Sequence, residues 1–318
     1  MANTNLHTAK SIKDDEFYTQ LEDIEDELGH YIDKFHNKVI LCNCDDPTKS
    51  NFWKYFHINF ERLGLKKLIS THFEIANTHS YKIEYTGGND HDIMAGTVTQ
   101  LNGNGDFRSS ECVELIKSCD IVVTNPPFSL FREYITFLMK YDKKFIILGN
   151  MNAITYKEVF PFIQDDKIWL GCRSLSKDMY FNVPENKKAW LVKNKKEGSA
   201  YKIINGVVMG RLASCCWFTN LNHSKKHELI KLTRQYNSNL YPKYDNCNAI
   251  EVSKTVDIPT DYDGVMGVPI TFLDKYNPEQ FEIVRFRKGD DGKDLCVNGK
   301  CPYFRILIKR RVDKHLIN

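Results

Sequence analysis

The sequence predicts an α/β fold, in which helices pack on both faces of a mainly parallel β-sheet. Residues 38–149 show short apolar runs of strand length, helix-like segments between these runs, and polar or turn-forming residues directly after them. Strands that are joined by helical crossovers lie parallel in one sheet. Ligands of such sheets bind at the carboxyl ends of the strands. The residues that follow each apolar run are therefore candidates for a functional site.

The elements of this fold follow one another in order along the first half. Lys38–Asn43 is the first predicted strand. Ser50–Leu63 is the first predicted helix, because Ser50 is suited to cap its start and large apolar side chains recur at helical spacing. These side chains are Phe52, Phe56, Phe60 and Leu63. The other predicted strands are Lys67–Phe73, Asp120–Thr124 and Lys144–Gly149, and the other predicted helices are Ser109–Lys117 and Leu130–Lys140.

The pattern becomes less regular after residue 150. Lys167–Gly171 and Ala213–Asn220 are predicted to be two further strands that could complete the same sheet. Between them lies a lysine-rich insertion near residues 186–202, and residues 222–318 are rich in turn-forming residues. We therefore expect a catalytic domain at residues 1–221 and a C-terminal region with a separate role at residues 222–318.

Composition limits the class of protein. The net charge is only +3, so the whole-chain average argues neither for nor against a nucleic-acid partner. The ten cysteines show no paired Cys-x-x-Cys spacing, which predicts reduced cysteines that serve as small core residues and no metal site. The start of the chain is polar, and no apolar run approaches the length of a membrane span. These features predict a soluble, cytoplasmic protein.

The stretch Asp120–Ser129, DIVVTNPPFS, ends a buried strand on two consecutive prolines. This turn suits the methylation of an exocyclic amine such as adenine N6, whose lone pair is delocalised into the ring. The side-chain oxygen of Asn125 and the carbonyl of Pro126 could accept hydrogen bonds from the two N–H groups and free that lone pair. Pro126 and Pro127 fix the backbone in advance, and Phe128 could stack on a base that has been flipped out of the duplex.

The methyl donor of such a reaction is expected to be S-adenosylmethionine, because its sulfonium leaving group needs no metal. Asp45 and Asp46, directly after the first strand, are candidates to pair with the ammonium group of the donor. Glu74, after the second strand, is placed to accept hydrogen bonds from ribose hydroxyls. Asp106 is a candidate to accept from the adenine amine of the cofactor, and Phe107 to cover its ring.

Longer runs of residues surround these positions. They include DEFYTQ (Asp15–Gln20), CNCDDP (Cys42–Pro47), GDFRSSE (Gly105–Glu111), DIVVTNPPFSLFREY (Asp120–Tyr134), GVMGVPITFL (Gly264–Leu273) and NGKCPYFRILIK (Asn298–Lys309). On these runs the chain resembles the adenine-N6-specific DNA methyltransferases of the EcoRI modification methyltransferase family, and the likeness covers most of the chain. The resemblance implies a Rossmann-like S-adenosylmethionine-dependent methyltransferase fold with a C-terminal target-recognition region.

The resemblance also implies roles for individual residues. Phe17, Tyr18 and Thr19 match the motif that holds the methionine end of the cofactor. Cys42–Pro47, which includes Asn43 and Pro47, takes the place of the first cofactor motif. Asp106 and Phe107 match the adenine-contacting motif, and Asn125–Phe128 matches the catalytic loop. The chain departs from the usual pattern because it has no Gly-x-Gly after the first strand, which leaves the roles of Asp45 and Asp46 open.

Double-stranded DNA is the expected partner, and basic residues outside the catalytic loop are candidates for its phosphates. These candidates are Lys187, Lys188 and Lys193 in the insertion and Arg305, Lys309, Arg310 and Arg311 near the C-terminus. The chain is expected to act as a monomer, beside a cognate restriction endonuclease but without stable contact with it. Two alternatives stay open: methylation of another amine, in an RNA base or a protein glutamine, and a DNA-binding protein whose cofactor pocket has decayed.

Overall fold

A computed structural model describes residues 18–74, 80–88, 91–212 and 214–311. The chain divides into two compact units. The first unit comprises residues 1–153 and 171–221, and the second comprises residues 154–170 and 222–318. The division after Leu221 falls where the sequence becomes rich in turn-forming residues, but the segment 154–170 lies in the second unit.

The first unit contains the predicted α/β elements. Its strands are β1 (Val39–Cys42), β2 (Lys67–Thr71), β3 (Tyr81–Tyr85), β4 (Thr97–Gln100), β5 (Ile121–Thr124), β6 (Lys144–Asn150), β8 (Met179–Asn182), β9 (Tyr201–Ile204), β10 (Val207–Leu212) and β11 (Cys215–Thr219). Its helices are α1 (Leu21–Leu28), α2 (Ile32–Phe35), α3 (Asn51–Ile58), α4 (Phe60–Leu63), α5 (Ser110–Ser118), α6 (Phe131–Lys140) and α8 (Glu185–Asn194).

Seven strands of this unit lie in one mixed sheet, in the order β4-β3-β2-β1-β5-β6-β11. The central strands β2, β1, β5 and β6 are parallel, whereas β3, β4 and β11 run antiparallel to their neighbours. Strand β1 pairs with β2 on one side and with β5 on the other. The strand order therefore reverses direction at β1, and ligands of open α/β sheets bind at such a point. The predicted α/β fold class is confirmed.

Local chemistry explains the central elements. All four residues of β5 are buried, as expected for a parallel strand covered on both faces. The Ser50 side chain accepts hydrogen bonds from the backbone N–H groups of Phe52 and Trp53, which confirms it as the cap of the first helix. The predicted helix Ser50–Leu63 is interrupted, however: α3 ends at Ile58, and the shorter α4 follows Asn59.

The lysine-rich insertion contains most of α8 and the start of β9, and β9 belongs to a small antiparallel sheet in the order β8-β10-β9. Leu191 of α8 packs with Val183 and Tyr201 in a cluster of buried side chains. Backbone hydrogen bonds join Tyr18 and Asn182 in both directions, so the start of the described chain lies against β8.

The second unit contains a five-stranded sheet. The strands of this sheet are β12 (Lys243–Tyr244), β13 (Cys247–Glu251), β14 (Val265–Pro269), β15 (Phe281–Phe286) and β16 (Arg305–Arg310), in the order β12-β13-β14-β16-β15. The unit also contains the short strand β7 (Trp169–Leu170), which is not part of this sheet. The helix α7 spans Phe160–Gln164. The short β7 replaces the longer strand that was predicted at Lys167–Gly171, and β11 confirms the strand that was predicted at Ala213–Asn220.

The prediction that all cysteines are reduced is wrong at one pair, because Cys296 and Cys301 form a disulfide across the turn that separates them. The other eight are not part of a disulfide in the described part of the chain, and five of these are buried as small core residues. Within the described ranges, no group of three or more His, Cys, Asp or Glu side chains is arranged to hold a metal ion. No described helix has the length and apolar character that crossing a membrane requires.

Candidate active site

A cavity opens at the carboxyl ends of β1, β2 and β5 in the first unit. Its wall combines residues from the start of the described chain, from the segments after β1 and β2, from the loop before α5 and from the turn after β5. The sequence-predicted residues on this wall are Tyr18, Thr19, Asp45, Asp46, Asp106, Phe107, Asn125 and Pro127. Residues scattered over more than 100 positions of sequence are thus brought to one site, because parallel strands end at the same edge of the sheet.

The Asn-Pro-Pro-Phe turn follows β5 directly. Asn125 and Pro127 line the cavity, whereas Pro126 is buried beside it. Phe128 begins a short 3₁₀ turn, Phe128–Leu130, and packs against the hydrophobic core of the unit. The turn is therefore held from behind by the core while it presents an amide side chain to the cavity.

Asp45 joins three parts of this site. Its Oδ1 accepts a hydrogen bond from Ser50 Oγ at 2.9 Å, which links it to the cap of α3. Its other oxygen, Oδ2, contacts Thr124 Oγ1 at the end of β5, and the backbone N–H of Asn125 donates to the same carboxyl group. Asp45 is buried, so it fixes the start of the Asn-Pro-Pro-Phe turn relative to β1 and α3.

Burial raises the pKa of Asp45 to about 7, although hydrogen bonds from Thr124, Ser50 and the Asn125 N–H act in the opposite direction. The contacts of Thr124 agree with a bound proton. Thr124 Oγ1 contacts both the carbonyl oxygen of Asn43 and Asp45 Oδ2, but it carries a single proton. A protonated Asp45 can supply the second proton when the carbonyl accepts the first. A protonated Asp45 is a poor partner for an ammonium group.

We expect Asp45→Asn to remove a pH dependence of stability. The pKa of Asp45 is raised by folding, so its contribution to the unfolding free energy is complete below about pH 4 and is lost as pH rises through about 7. Asparagine imitates the protonated carboxyl group at every pH. Denaturant titrations should show that, between pH 5 and pH 8, the unfolding free energy of the wild type falls by about 2 kcal/mol relative to that of this variant.

The exposed acid Asp33 offers a matched control for that experiment. Asp33→Asn should leave the difference from wild type constant between pH 5 and pH 8. Parallel curves for Asp45→Asn and the wild type would show that Asp45 is ionised in the folded protein throughout this range.

The segment after β1 replaces the missing Gly-x-Gly. Cys44 has a φ of 68°, in the left-handed region that glycine usually occupies, and it lines the cavity. Asn43, just before it, is fully buried, and its Oδ1 accepts a hydrogen bond from Thr71 Oγ1 at 2.7 Å. A left-handed turn anchored in the sheet thus brings the backbone to the cavity without glycine. Asn43 itself supports the wall and does not line it.

The remaining acids after β1 and β2 differ in position. Asp46 lines the cavity, with 16% of its side chain exposed, and lies 3.7 Å from His72 Nδ1. Glu74 Oε2 lies 3.7 Å from His72 Nε2 but is not part of the cavity wall. Pro47 lines a neighbouring cavity instead. The structure therefore brings Asp46 to the cavity and leaves Glu74 at its margin.

The Asp106–Phe107 pair lies in the loop before α5. Asp106 accepts hydrogen bonds from Arg108 Nε at 2.8 Å and Nη2 at 2.6 Å. Burial would raise the pKa of Asp106, but the hydrogen bonds from Arg108 outweigh it and hold this pKa below its ordinary value. The buried Phe107 ring packs edge-on against Tyr134. Asp106 therefore stays ionised and can act only as an acceptor.

Gly105 allows this loop to approach the end of β2. Its φ of 77° lies in the left-handed region, and a Cβ at this position would collide with the carbonyl oxygen of His72. The loop and the end of β2 therefore meet only because residue 105 is glycine, and both contribute to the cavity wall.

The first described residues form another part of the wall. Asn51 Nδ2 donates to the carbonyl oxygen of Thr19 at 2.7 Å, and Tyr18 is held by its bridge to Asn182. Thr19 is buried. Phe17 lies outside the described residues.

The basic candidates for DNA contact divide by their environment. Lys193 is exposed, and Lys188 pairs with Glu185 at 2.7 Å; Lys187 is half-buried on the same helix. In the second unit, Arg305 is bound to the buried Glu251, with Nη2 at 2.7 Å from Oε1. Side-chain nitrogens of Arg310 and Arg311 donate to the carbonyl oxygens of Thr260 and Pro278. Lys309 is exposed. The three arginines thus already stabilise the second unit.

Sequence reasoning missed several residues of the cavity wall. His72 and Phe73 follow β2 directly, so the rule that ligands bind at the carboxyl ends of strands could have found them. Lys49 and Asn51 carry no comparable signal, because their positions depend on the start of α3.

The site combines an Asn-Pro-Pro-Phe turn after a central strand with a cavity that ionised and aromatic side chains line. This combination defines the class of α/β enzymes that methylate exocyclic amines. The family model described as "Adenine-specific methyltransferase EcoRI" matches residues 5–311. The chain belongs to this family and is an adenine-specific DNA methyltransferase. This membership confirms the predicted class of enzyme and goes against both alternatives.

Curated relatives agree with this assignment. The chain is 51% identical to the type II methyltransferase M.EcoRI of Escherichia coli, with 97% of each chain covered. It is 38% identical to the type II methyltransferase M.MgeORF184P of Mycoplasma genitalium, and the alignment covers 96% of this chain and 99% of the relative. It is 37% identical to the type II methyltransferase M.MpnI of Mycoplasma pneumoniae, and the alignment covers 96% of this chain and 98% of the relative. No solved structure matches the chain significantly.

Proposed function

We propose that the cavity of the first unit binds S-adenosylmethionine and that the methyl group passes to N6 of an adenine held by the turn after β5. One observation carries this proposal. The acceptor turn lines the same cavity as the residues suited to a cationic nucleoside cofactor, which are Tyr18, Thr19, Asp46, Asp106 and Phe107.

The chemistry of the wall fits the proposed cofactor. Asp106, ionised beside Arg108, would accept a hydrogen bond from the cofactor's adenine amine, and Phe107 would pack against that ring. Asp46 would pair with the ammonium group, since Asp45 is engaged with Ser50 and Thr124. When bound, S-adenosylmethionine supplies a methyl group on a positively charged sulfur. The protein's part is to bind it, to orient it and to exclude water.

Asn125 and Pro126 act on the target base. The Asn125 side-chain oxygen and the Pro126 carbonyl would accept hydrogen bonds from the two N–H groups of adenine N6, which localises the lone pair on nitrogen. The target has to leave the duplex to reach this turn, and Phe128 would stack on it. Because the prolines fix the turn and Asp45 holds its first N–H, little ordering is needed when the base arrives.

Binding of the cofactor tests the proposal independently of DNA. Titration calorimetry of the full chain with S-adenosylmethionine, and with S-adenosylhomocysteine as competitor, should give one site per chain and mutual displacement. A protein that binds neither compound would contradict the assignment of the cavity.

The lysines of α8 are proposed to contact DNA phosphates. Lys187→Ala combined with Lys193→Ala should weaken binding to cognate and unrelated duplexes by similar factors, because phosphates carry no base identity. The slope of log affinity against log salt concentration should fall by about 1.8 for the two contacts.

Lys34, which pairs with Asp33, offers a matched control for that measurement. Lys34→Ala should leave the salt slope unchanged. An unchanged slope in the double variant as well would make α8 an ordinary solvated helix.

The second unit, from residue 222, is proposed to be the DNA target-recognition region, with Lys309 as its candidate phosphate contact. The type II names of the relatives support a role beside a restriction endonuclease. We propose that this role needs no stable contact between the two enzymes, and that the protein is a soluble, cytoplasmic monomer.

A further inference from the structure

The segment Leu229–Leu240 of the second unit has an unusual combination of features. It follows the 3₁₀ turn Ser224–His227 and precedes β12, and it contains no helix or strand apart from one bridge between Arg234 and Pro259. Long irregular segments in compact domains usually serve a function.

Hydrogen bonds fix the backbone of this segment to the rest of the unit. The N–H of Ile230 donates to Gln280 Oε1 at 2.8 Å, and Gln280 Nε2 donates to the Ile230 carbonyl at 2.9 Å. The Arg234 carbonyl accepts from the N–H of Thr260 at 2.8 Å and from its hydroxyl at 3.0 Å. The segment is therefore held in place at two points.

Aromatic packing holds its second half. The N–H of Tyr236 donates to Asp261 Oδ1 at 2.7 Å. The Tyr236 ring lies 4.7 Å from the ring of Tyr262 and 5.9 Å from that of Tyr241, measured between centroids. With the backbone fixed on both sides of Arg234, the exposed side chains are presented from a defined position.

The exposed side chains are of the types that recognise bases. Lys231, Gln235 and Asn239 are exposed, and within the described part of the chain their side chains contact no hydrogen-bonding or ionic partner. The Arg234 side chain is 65% exposed and is oriented by Asp257, with 3.5 Å between Nε and Oδ1. The sequence has no Asp or Glu from residue 229 to residue 244, so nothing in the segment repels DNA.

We propose that the segment Leu229–Leu240 reads base edges of the target duplex, with Arg234 and Gln235 as specificity-determining residues. An arginine fork pairs with O6 and N7 of guanine, and a glutamine amide pairs with N6 and N7 of adenine, in the major groove. Lys231 supplies a positive charge for the adjacent phosphates or for guanine. This inference rests on the proposed role of the second unit in target recognition.

Single variants test the inference on the full-length enzyme. After the methylated sequence has been mapped, kcat/KM is measured on the cognate duplex and on duplexes with each base pair changed in turn. Arg234→Ala and Gln235→Ala should each lower kcat/KM on the cognate duplex by about tenfold or more. Each should also lose discrimination at one position. Arg234→Lys keeps the charge without the fork, so it should lose the same discrimination while the salt slope stays unchanged.

Lys300, an exposed lysine elsewhere in the second unit, provides the matched loss of one charge. Lys300→Ala should leave discrimination at every position unchanged. A thermal unfolding midpoint equal to that of the wild type shows that the fold of each variant is intact. Arg234 and Gln235 variants that fold and discriminate like the wild type would overturn the inference, as would an effect of equal size in Lys300→Ala.

Photo-crosslinking separates this inference from the proposal on which it rests. Duplexes with halogenated pyrimidines at successive positions of the target are irradiated with the full chain, and the attached peptides are identified. Crosslinks within residues 229–240 support the inference. Crosslinks elsewhere in residues 222–318 would overturn it while preserving the target-recognition role of the second unit. Crosslinks confined to the first unit would overturn both.

Discussion

Asn125→Ala is expected to lower the rate of methyl transfer by about a hundredfold or more, and to leave the affinity for S-adenosylmethionine within a few-fold of wild type. The side-chain oxygen is assigned to the target amine, and loss of one such interaction in a transition state typically has an effect of this size. Single-turnover transfer of a labelled methyl group measures the rate, and calorimetry measures cofactor binding.

Ser129→Ala is the matched control for this prediction, because Ser129 lies in the same turn but is exposed and does not line the cavity. Its rate should stay close to wild type. If Asn125→Ala kept more than about a tenth of the wild-type rate, less than 1.4 kcal/mol of transition-state stabilisation would have been lost. That result would remove Asn125 from its assigned role.

The second large effect is expected at Asp106. Asp106→Ala should weaken binding of S-adenosylmethionine by about tenfold or more, since it removes an ionised acceptor from the cavity wall. Calorimetry or quenching of intrinsic fluorescence measures the change in affinity.

Glu133 serves as the control for the ion-pair network. It lies 3.2 Å from Arg108, which also binds Asp106, but it is not part of the cavity wall. Glu133→Ala should leave cofactor affinity unchanged. An Asp106→Ala variant that bound the cofactor normally and lost only DNA affinity would assign this acid to the DNA instead.

The central strands and the Asn-Pro-Pro-Phe turn after β5 could be predicted because their signals are local. β1 and β5 are apolar runs of strand length, and Pro126 and Pro127 end β5 by their own covalent geometry. The cap at Ser50 is likewise visible in sequence, since the residue precedes its helix directly. These signals depend on neighbours within a few positions and on no other part of the chain.

Other elements give no such signal. All four residues of β4 are exposed and three of them are polar, so the strand has no alternation of apolar and polar residues to reveal it. The small sheet of the insertion consists of short strands that depend on α8 and on Leu191 for their buried face. Tertiary packing decides both, and sequence periodicity does not record it.

Side-chain partners that are distant in sequence account for the remaining differences between the predicted roles of residues and their contacts in the structure. Asp45 was expected to face an ammonium group, but Thr124, 79 residues away, occupies one of its oxygens. Arg305 was expected to face DNA, but it is bound to Glu251, 54 residues away. The sequence shows only that a charged side chain needs an ionic or hydrogen-bonding partner. The identity of the partner is decided by the fold.

The most direct test follows the methyl group itself. Duplex DNA is incubated with the protein and S-adenosylmethionine that carries a trideuterated methyl group, and the nucleosides released by digestion are analysed by mass spectrometry. The account predicts N6-methyladenine with three deuterium atoms, formed with wild type and absent with Asn125→Ala. Label in cytosine, or no label in DNA from a protein that binds the cofactor, would contradict it.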